Sequence, residues 1–338
     1  MPKRDRQHAA TSDRIAALPC FDGQGVTVQT TGEVTKELSL GEGRTNQNFI
    51  VTTGDATKYF VRVGGDLPHH AVVRDRERAV QRAAAAQGLA PEVVYASDDI
   101  MVMSFVNGKA LTEAQMHRAA GEGVGSPLLT AITATIRKLH KTPPPRELLT
   151  GAAAGWGGPH LPQWIAYATN GGYKRLPILS DAAHLMPILE AAAGELAPPA
   201  LCHFDLLPDN FVVSGDGEPS ITIVDYEYTG LGQPLMDLAV LSMGCDLSTE
   251  EDAALLASYL ELPEITPEVA RAFLALKVLA ALRETFWGVV AEVSHASALS
   301  DAEAAAYTDL NYGKLMMLRA MFNFERWERA EASTSTSV

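Results

Sequence analysis

The rest of the chain is organised around the stretch LCHFDLLPDNFVVSGDGEPSITIVD, residues 201–225. It contains the pattern H-x-D-x-x-x-x-N, supplied by His203, Asp205 and Asn210, and it ends on a second acid, Asp225. The first aspartate of such a pattern can orient or deprotonate an attacking hydroxyl, while the asparagine and the second aspartate can bind Mg²⁺. The spacing therefore points to a site for the transfer of a phosphoryl group.

The residues after this loop predict a β-hairpin that would serve as a rigid platform. The runs 211–213 and 221–224 are β-prone, and the residues between them are rich in Ser, Gly, Asp and Pro. Pairing of the two runs would bring Asn210 and Asp225 together at the open end of the hairpin. The alternative is a solvated surface hairpin with ordinary acids, but the asparagine offset and the returning aspartate favour a site for a metal-bound nucleotide.

Length, composition and charge limit the class of protein. The chain has 338 residues, 47% of them hydrophobic, and a formal net charge of −14. This length accommodates one large domain or two modest ones, either with a substantial core. The acidity argues against nonspecific nucleic-acid binding and is compatible with a cationic small substrate.

The sequence carries no signal for a membrane or for secretion. No apolar run reaches membrane-spanning length, and residues 1–14 lack the apolar centre of a secretory signal, so we expect a cytoplasmic location without membrane insertion. The scattered Cys20, Cys202 and Cys245 fit neither a disulfide framework nor a paired metal motif. Cys202 lies inside the candidate loop, but its neighbours are typical of a strand end, and we expect a small buried residue rather than a nucleophile.

The first third of the chain predicts a β-rich unit with one helix. Strands are expected at 26–30, 48–52, 58–63, 93–95 and 100–105, and the helix at 71–86. Between the first two strands lies LGEGRTNQN, whose Gly41 and Gly43, followed by Thr45 and Asn46, would let backbone N–H groups approach a phosphate. Glycine-rich hairpin turns are common, so this loop does not by itself decide between a turn and a nucleotide site.

Arg62 on the third strand and Glu77 on the helix strengthen the nucleotide interpretation. A basic residue on that strand, paired with a helix glutamate, is one way to hold the α and β phosphates of a nucleotide. In the alternative interpretation Glu77 pairs with Arg74 or Arg78 on a solvated helix face, which contributes about 0.2–0.5 kcal/mol. The order of the surrounding elements favours the first.

Helices dominate the chain after a predicted hinge at 107–108. They are expected at 127–140, 181–196, 235–243, 249–260, 267–295 and 301–329. The Gly/Pro/Ala-rich residues 141–163 predict a connector. His140 is expected to cap the end of its helix.

Taken in this order, the chain resembles the choline/ethanolamine kinase family, within the wider aminoglycoside-phosphotransferase and protein-kinase-like fold. The resemblance runs from about residue 38 to 318 and is most specific in LCHFDLLPDN and IVDYEYTGLGQPLMDLAVLS. LGEGRTNQNF, YFVRV and VVRDRERAVQRAAAAQGLAPEVVY are similar to the family's glycine loop, third strand and helix. One departure is Glu42, where the family usually has glycine. Since an acid facing phosphates is unfavourable, we expect Glu42 to point to solvent.

The resemblance implies an α+β fold of the bilobal, protein-kinase-like kind, with ATP and Mg²⁺ as cofactors. A β-rich nucleotide-binding lobe is expected at 1–106, a helical catalytic and substrate-binding lobe at 107–330, and a disordered tail at 331–338. The hinge backbone near Ser104 and Val106 would receive the adenine.

Matching positions carry over the family's residue roles. The resemblance implies Asp205 as the catalytic base, His203 as a residue that orients the loop, and Asn210 and Asp225 as Mg²⁺ ligands. Asp237 would brace the catalytic loop from a helix start, which is a structural role. The residues expected at ATP are Gly43, Thr45, Asn46, Arg62, Glu77, Ser104 and Val106.

The acceptor pocket needs its own argument, because this fold accommodates many acceptors. A quaternary ammonium group has no hydrogen-bond donor, so its recognition depends on carboxylates and aromatic faces, each cation–π contact contributing about 0.5–2 kcal/mol. Glu227 and Tyr228 match the family's E-Y, while Trp287 and Tyr307 resemble the aromatic walls of choline kinases. For Trp287 taken alone, packing between two helices is the alternative.

We therefore expect an ATP-dependent phosphotransferase that acts on the hydroxyl of a small cationic alcohol, choline before others. Another small alcohol (ethanolamine, an aminoglycoside, thiamine or a sugar) is the nearest alternative; an aminoglycoside needs several acids in an open cleft, whereas choline needs aromatic walls. A catalytically silent nucleotide-binding module is a hypothesis of a different class, and the intact Asp205, Asn210 and Asp225 argue against it. The sequence leaves open the oligomeric state and the preference between ATP and GTP.

Overall fold

The structure, a computed structural model, describes residues 3–31, 45–149, 160–194, 196–215 and 217–322. Several predicted features lie outside these ranges: Gly41, Glu42 and Gly43 of the glycine loop, residues 150–159 of the predicted connector, the end of the last predicted helix beyond residue 322, and the tail at 331–338. None of the helices in the described ranges is long and apolar enough to cross a membrane.

Five antiparallel strands form the N-terminal sheet, in the spatial order β1-β2-β3-β5-β4. Their bounds are Val26–Thr30 (β1), Gln47–Thr53 (β2), Lys58–Val63 (β3), Val93–Ala96 (β4) and Ile100–Ser104 (β5). Alternate apolar side chains of β2, β3 and β5 form a small core with the first helix, α1 (Lys3–Ala16), and the residues after it. Arg62 lies opposite Asn48 on one side and Met101 on the other, so it occupies the middle of the sheet.

The helix between β3 and β4, α2, spans Arg74–Ala86 and begins three residues later than predicted. Leu67 and Val72 form an isolated β-bridge, and Ala71 between them has φ of 59°, in the left-handed region. A residue in that conformation cannot belong to a right-handed helix, so the helix starts only after it. Arg74 becomes the first helical residue.

The predicted hairpin at the centre of the chain is confirmed. β8 (Phe211–Ser214) pairs with β9 (Ser220–Ile223), Phe211 lies opposite Ile223, and β6 (Lys109–Ala110) adds a third strand beside β8. β7 (Ala200–Cys202), just before the loop 203–210, pairs with β10 (Gly230–Gly232). The backbone N–H of Val224 donates to the carbonyl of Asn210 at 3.0 Å, which brings the two ends of the hairpin together.

Helices make up most of the chain after the first sheet. They are α3 (Glu113–Glu122), α4 (Pro127–His140), α5 (Arg146–Leu149), α6 (Leu161–Asn170), α7 (Leu176–Ala193), α8 (Leu235–Gly244), α9 (Thr249–Leu260), α10 (Pro267–Ser294) and α11 (Asp301–Phe322). The predicted connector, residues 141–163, is partly helical where the structure describes it. Leu148 of α5 and Leu161 of α6 are buried in the core, and this burial stabilises the two short helical segments. α7 begins five residues before its predicted start, where Pro177 occupies its first turn.

The long helix α10 is the centre of the helical region. Thr266 caps its start, and Pro267 is its first residue. Nearly every side chain from residue 272 to 291 is buried, because most of them are apolar on every side of the helix; the buried charges are Lys277, Arg283 and Glu284. Gly288 lets α11 pack closely: a Cβ atom at this position would lie 2.5 Å from Oγ1 of Thr308. This close approach sets the relative position of the two helices that carry the predicted acceptor aromatics.

Candidate active site

A cavity of about 280 Å³ is lined by residues of both the N-terminal sheet and the helical region. Its walls contain all the described residues that the sequence predicted to contact a nucleotide, a metal or an acceptor: Thr45, Asn46, Arg62, Glu77, Ser104, Val106, Asp205, Asn210, Asp225, Glu227, Tyr228, Trp287 and Tyr307. His203 and Asp237 are fully buried and do not line it. One cavity thus gathers residues from positions 45 to 307.

Asp237, in the first turn of α8, holds the start of the loop 203–210 in place. Its carboxylate accepts hydrogen bonds from the backbone N–H of His203 at 2.8 Å and of Phe204 at 2.7 Å. Phe204 has φ of 62°, an unfavourable conformation for a bulky side chain that persists only when the surroundings hold it. Charge-assisted bonds to two consecutive N–H groups supply that restraint.

His140 also contacts Asp237, and the prediction that it caps its helix is wrong. Nε2 of His140 lies 2.9 Å from Oδ2 of Asp237, and its Nδ1 lies 2.7 Å from the hydroxyl of Tyr259. The ring of His140 therefore contacts Asp237 and Tyr259 instead of the carbonyls at the end of α4.

The ring of His203 connects the backbone at Asp205 to that at Val224. Asp205 N–H donates to Nδ1 of His203 at 3.3 Å, and Nε2 lies 3.0 Å from the carbonyl of Val224. Both bonds are satisfied by the neutral tautomer with its proton on Nε2. Burial lowers the pKa of His203 to about 4, so the ring is neutral near pH 7.

Asp205 reaches the cavity, with 16% of its side chain exposed. Nδ2 of Asn210 donates to the backbone carbonyl of Asp205 at 2.6 Å and to its Oδ2 at 3.2 Å. Because Nδ2 is used in this way, Oδ1 is the atom of Asn210 that remains for a cation.

Asp225 lies beside Asn210 with φ of 66°, a left-handed conformation that is uncommon outside glycine. Desolvation raises the pKa of Asp225 well above its usual range, and the nearby carboxylates of Glu227, Glu77 and Asp205 raise it further. Only Arg62 acts in the opposite direction among the main contributors. The local negative charge is therefore incompletely balanced by the side chains around it.

The donor set fits Mg²⁺. Carboxylate and amide oxygens are the ligands that this small, hard cation prefers, and Asp225 and Asn210 offer one of each. A divalent cation at these oxygens would stabilise the charged carboxylate of Asp225 against both its burial and the neighbouring negative charges.

Glu77 pairs with two arginines at once. Its Oε2 lies 3.1 Å from Nη2 of Arg62 and 2.7 Å from Nη1 of Arg74. The predicted contact between strand and helix is present, and so is the contact with Arg74. All three side chains are at most 5% exposed, so the arrangement is a buried network rather than a solvated helix face.

Glu227 connects this network to the central hairpin. Its Oε2 accepts from Nη1 of Arg74 at 2.9 Å and from Nδ2 of Asn46 at 3.2 Å, while Oε1 accepts from the Thr45 hydroxyl at 2.8 Å. Arg74 does not line the cavity but pairs with two carboxylates that do, and the sequence argument treated it only as a competitor of Arg62. The spacing of three residues between Arg74 and Glu77 indicated that the two could pair on one helix face. The sequence could not show that this helix face is buried.

Part of the cavity wall is aromatic. Nε1 of Trp287 donates to the Tyr228 hydroxyl at 2.8 Å, and the rings of Trp287 and Tyr307 meet edge to face with centroids 5.0 Å apart. Trp287 is nearly buried, as the core-packing alternative expected, and it also lines the cavity. Core packing of Trp287 is confirmed, while its contact with an acceptor stays a prediction.

The sequence argument missed Glu284, which also lines the cavity. Its Oε2 accepts from the Tyr307 hydroxyl at 2.5 Å, and its Oε1 contacts the neighbouring Arg283. The signal was available, since Arg283 and Glu284 are consecutive charges within a predicted helix whose neighbouring residues are apolar. Charges at such positions are rarely buried without a specific partner.

Comparison with known proteins identifies the family. Residues 37–273 match the phosphotransferase enzyme family (APH). The chain belongs to this family. Protein LicA of Haemophilus influenzae is 38% identical over 58 residues, a match that covers 17% of this chain and only 21% of that relative.

Solved structures with the same fold cover almost the whole chain. A choline/ethanolamine kinase family protein from Mesorhizobium loti has a TM-score of 0.68 at 23% identity, over 95% of this chain and 97% of the other. Choline kinase LicA from Streptococcus pneumoniae has a TM-score of 0.64 at 18% identity, over 92% and 99%. The predicted α+β, protein-kinase-like fold and the phosphotransferase family are confirmed.

Proposed function

We propose that this protein is an ATP-dependent phosphotransferase that phosphorylates the hydroxyl of a small cationic alcohol, with choline as the preferred acceptor. The observation that carries the proposal is that one cavity contains both the Asp205, Asn210 and Asp225 cluster and an aromatic wall with carboxylates nearby. Such a cavity can hold a nucleotide's terminal phosphate at one end and an acceptor's cationic group at the other.

In this mechanism Asp205 acts as the general base. The acceptor hydroxyl attacks the γ-phosphorus in line, the new O–P bond forms as the bond to the β-phosphate oxygen breaks, and the hydroxyl proton moves to the Asp205 carboxylate. ADP and the phosphorylated alcohol are the products, and no phosphoenzyme intermediate forms. Asn210 keeps the Asp205 carboxylate oriented through its contact of 3.2 Å with Oδ2.

Asn210 and Asp225 are the residues that would hold Mg²⁺. When bound, Mg²⁺ supplies positive charge against the β and γ phosphates. The protein contributes the fixed geometry of the two ligands, since Val224 N–H donates to the carbonyl of Asn210 at 3.0 Å and ties the end of the hairpin to the loop.

The proposed nucleotide end uses the sheet. Arg62, held by Glu77 at 3.1 Å and by Oδ1 of Asn46 at 3.2 Å, is fixed in a position to contact phosphates. Ser104 and Val106 line the cavity where the sheet joins the helical region, and their backbone would bind adenine. A requirement for ATP is also consistent with a cytoplasmic location, which we propose on that ground.

The charge of the cavity supports a cationic acceptor. The carboxylates in its walls outnumber the guanidinium groups around it, even when Arg74 and Arg283 behind the wall are counted with Arg62. The lining carboxylates are Glu77, Asp205, Asp209, Asp225, Glu227 and Glu284. A quaternary ammonium group would contact Tyr228, Trp287 and Tyr307, whose rings offer cation–π attraction without requiring a donor. An aminoglycoside would instead place several ammonium groups against acids in an open cleft.

An acceptor panel tests the proposal. The purified full-length protein is given MgATP with choline, ethanolamine, an aminoglycoside, thiamine or a sugar, and ADP and the phosphorylated product are both quantified; GTP replaces ATP in a second series. We expect the highest kcat/KM with choline. A higher kcat/KM with any other acceptor overturns the assignment of choline but keeps the reaction class. Failure of every acceptor, together with no thermal shift on adding MgATP, overturns the reaction class itself.

A further inference from the structure

Behind the acceptor wall lies a buried guanidinium that the proposed mechanism does not use. Arg283 of α10 is completely buried, and its neighbour Glu284 is 3% exposed. A charge is rarely removed from water unless partners offset the loss of hydration. The contacts of Arg283 therefore indicate what its charge acts on.

Two aromatic rings pack against this guanidinium. Its Cζ lies 5.1 Å from the ring centroid of Tyr228 and 5.4 Å from that of Trp164. Nε and Nη2 of Arg283 have no hydrogen-bond partner within the described residues. The polar contacts are concentrated on Nη1, which pairs with Oε1 of Glu284 and lies 3.6 Å from Oδ1 of Asp205.

Asp205 is consequently held from two sides. Asn210 donates to Oδ2 at 3.2 Å, and Arg283 approaches Oδ1 from the other side at 3.6 Å. Contacts on both oxygens restrict the rotation of the carboxylate about its Cβ–Cγ bond. Because the oxygen that accepts a proton must point at the attacking hydroxyl, this restriction favours the reactive orientation.

The same contacts continue to the aromatic wall. The Tyr307 hydroxyl donates to Oε2 of Glu284 at 2.5 Å, and Oε1 of Glu284 contacts Arg283, which in turn faces Asp205. Tyr307 and Glu284 line the cavity, whereas Arg283 lies behind it. A continuous run of polar contacts thus joins the acceptor wall to the proposed base.

We propose that Arg283 is a positioning residue for Asp205, and that Glu284 and the Tyr307 hydroxyl hold Arg283 in place. The inference rests on the proposed function, since it concerns the orientation of the base in that reaction. It gives Tyr307 two separable roles: the ring contacts the acceptor, and the hydroxyl acts on turnover through Glu284 and Arg283.

Steady-state kinetics with MgATP and choline separate these roles. Arg283→Met keeps a similar volume without the charge, and we expect kcat to fall by ~30- to 100-fold, with both KM values within about threefold of wild type, because the base loses its orientation. Arg283→Lys, which keeps the charge, should recover about tenfold of that loss. Tyr307→Phe keeps the ring, so kcat should fall by about three- to fivefold while the choline KM stays unchanged.

Arg271→Met is the matched control, because Arg271 lies on the same helix at an exposed position. Its turnover should equal that of the wild type. A thermal shift on adding MgATP reports that each variant is folded. If Arg283→Met does not fold, Tyr307→Phe decides the question, since it leaves every buried charge in place.

Three results overturn the inference while wild-type turnover remains: an unchanged kcat in folded Arg283→Met, a change confined to the choline KM, or an Arg283→Lys variant as slow as Arg283→Met. An unchanged kcat in Tyr307→Phe overturns the proposed link from Glu284 to the wall. Absence of product from the wild type with every acceptor is a different outcome: it defeats the proposed function, and this inference with it.

Discussion

The two ends of the cavity are built in different ways. At the end proposed for phosphoryl transfer, Asp205 and Asn210 are five positions apart, and one hairpin returns the chain to Asp225. At the aromatic end, Tyr228 and Trp287 are 59 positions apart, and the packing of α10 brings Trp287 within hydrogen-bond distance of the Tyr228 hydroxyl. The first end is specified by local spacing and the second by long-range packing, so substitutions at the two should have different consequences.

Removing the proposed base gives the largest expected effect. Asp205→Asn keeps the shape of the side chain and loses its ability to accept a proton, so kcat should fall by about 10³-fold. Steady-state turnover and MgATP binding by thermal shift are measured together, and we expect binding to persist. An Asp205→Asn variant with kcat within tenfold of wild type would contradict the role of the base.

Asp237 tests whether the local motif also depends on a distant residue. Asp237→Ala leaves the buried N–H groups of His203 and Phe204 without their acceptor, and the free energy of unfolding should fall by about 3 kcal/mol. Urea unfolding measures this value. Asp309→Ala, at a largely exposed position of α11, is the control and should change stability by less than about 1 kcal/mol.

Gly288 tests the packing that assembles the aromatic end. A methyl group there would meet Thr308 Oγ1 at 2.5 Å, so Gly288→Ala should lower the free energy of unfolding by about 1–3 kcal/mol. The choline KM should rise because α11, with Tyr307, must shift away. Gly313→Ala on α11 is the matched control: among the described residues outside its own turn of helix, no atom lies within 4 Å of the added methyl group, and stability should rise by about 0.5–1 kcal/mol. Equal stability of the two variants would refute this account.

The smallest expected effect is on acceptor affinity. Trp287→Leu keeps an apolar wall but removes a cation–π face, so the choline KM should rise by about tenfold with kcat within threefold. The uncharged carbon isostere of choline is the control acceptor, and its KM should be little changed. Equal losses with both acceptors would show that Trp287 serves packing alone.

Much of the fold could be read from local patterns. The bounds of α4 and α9 and the hairpin of β8 and β9 agree with prediction, because capping residues, prolines and turn residues fix them locally. The start of α2 could not be read in this way. It depends on the left-handed conformation of Ala71 and on the bridge between Leu67 and Val72, neither of which has a sequence signature.

The sequence by itself determined the motif of Asp205, Asn210 and Asp225, because a fixed spacing and a hairpin turn are local properties of the chain. Only the tertiary structure decided that Arg74 joins Glu77 to Glu227, and that Arg283 and Glu284 extend from the aromatic wall to Asp205. These contacts join residues far apart in the chain, and a buried charge finds its partner through the packing of whole helices. Spacing along the sequence does not record that packing.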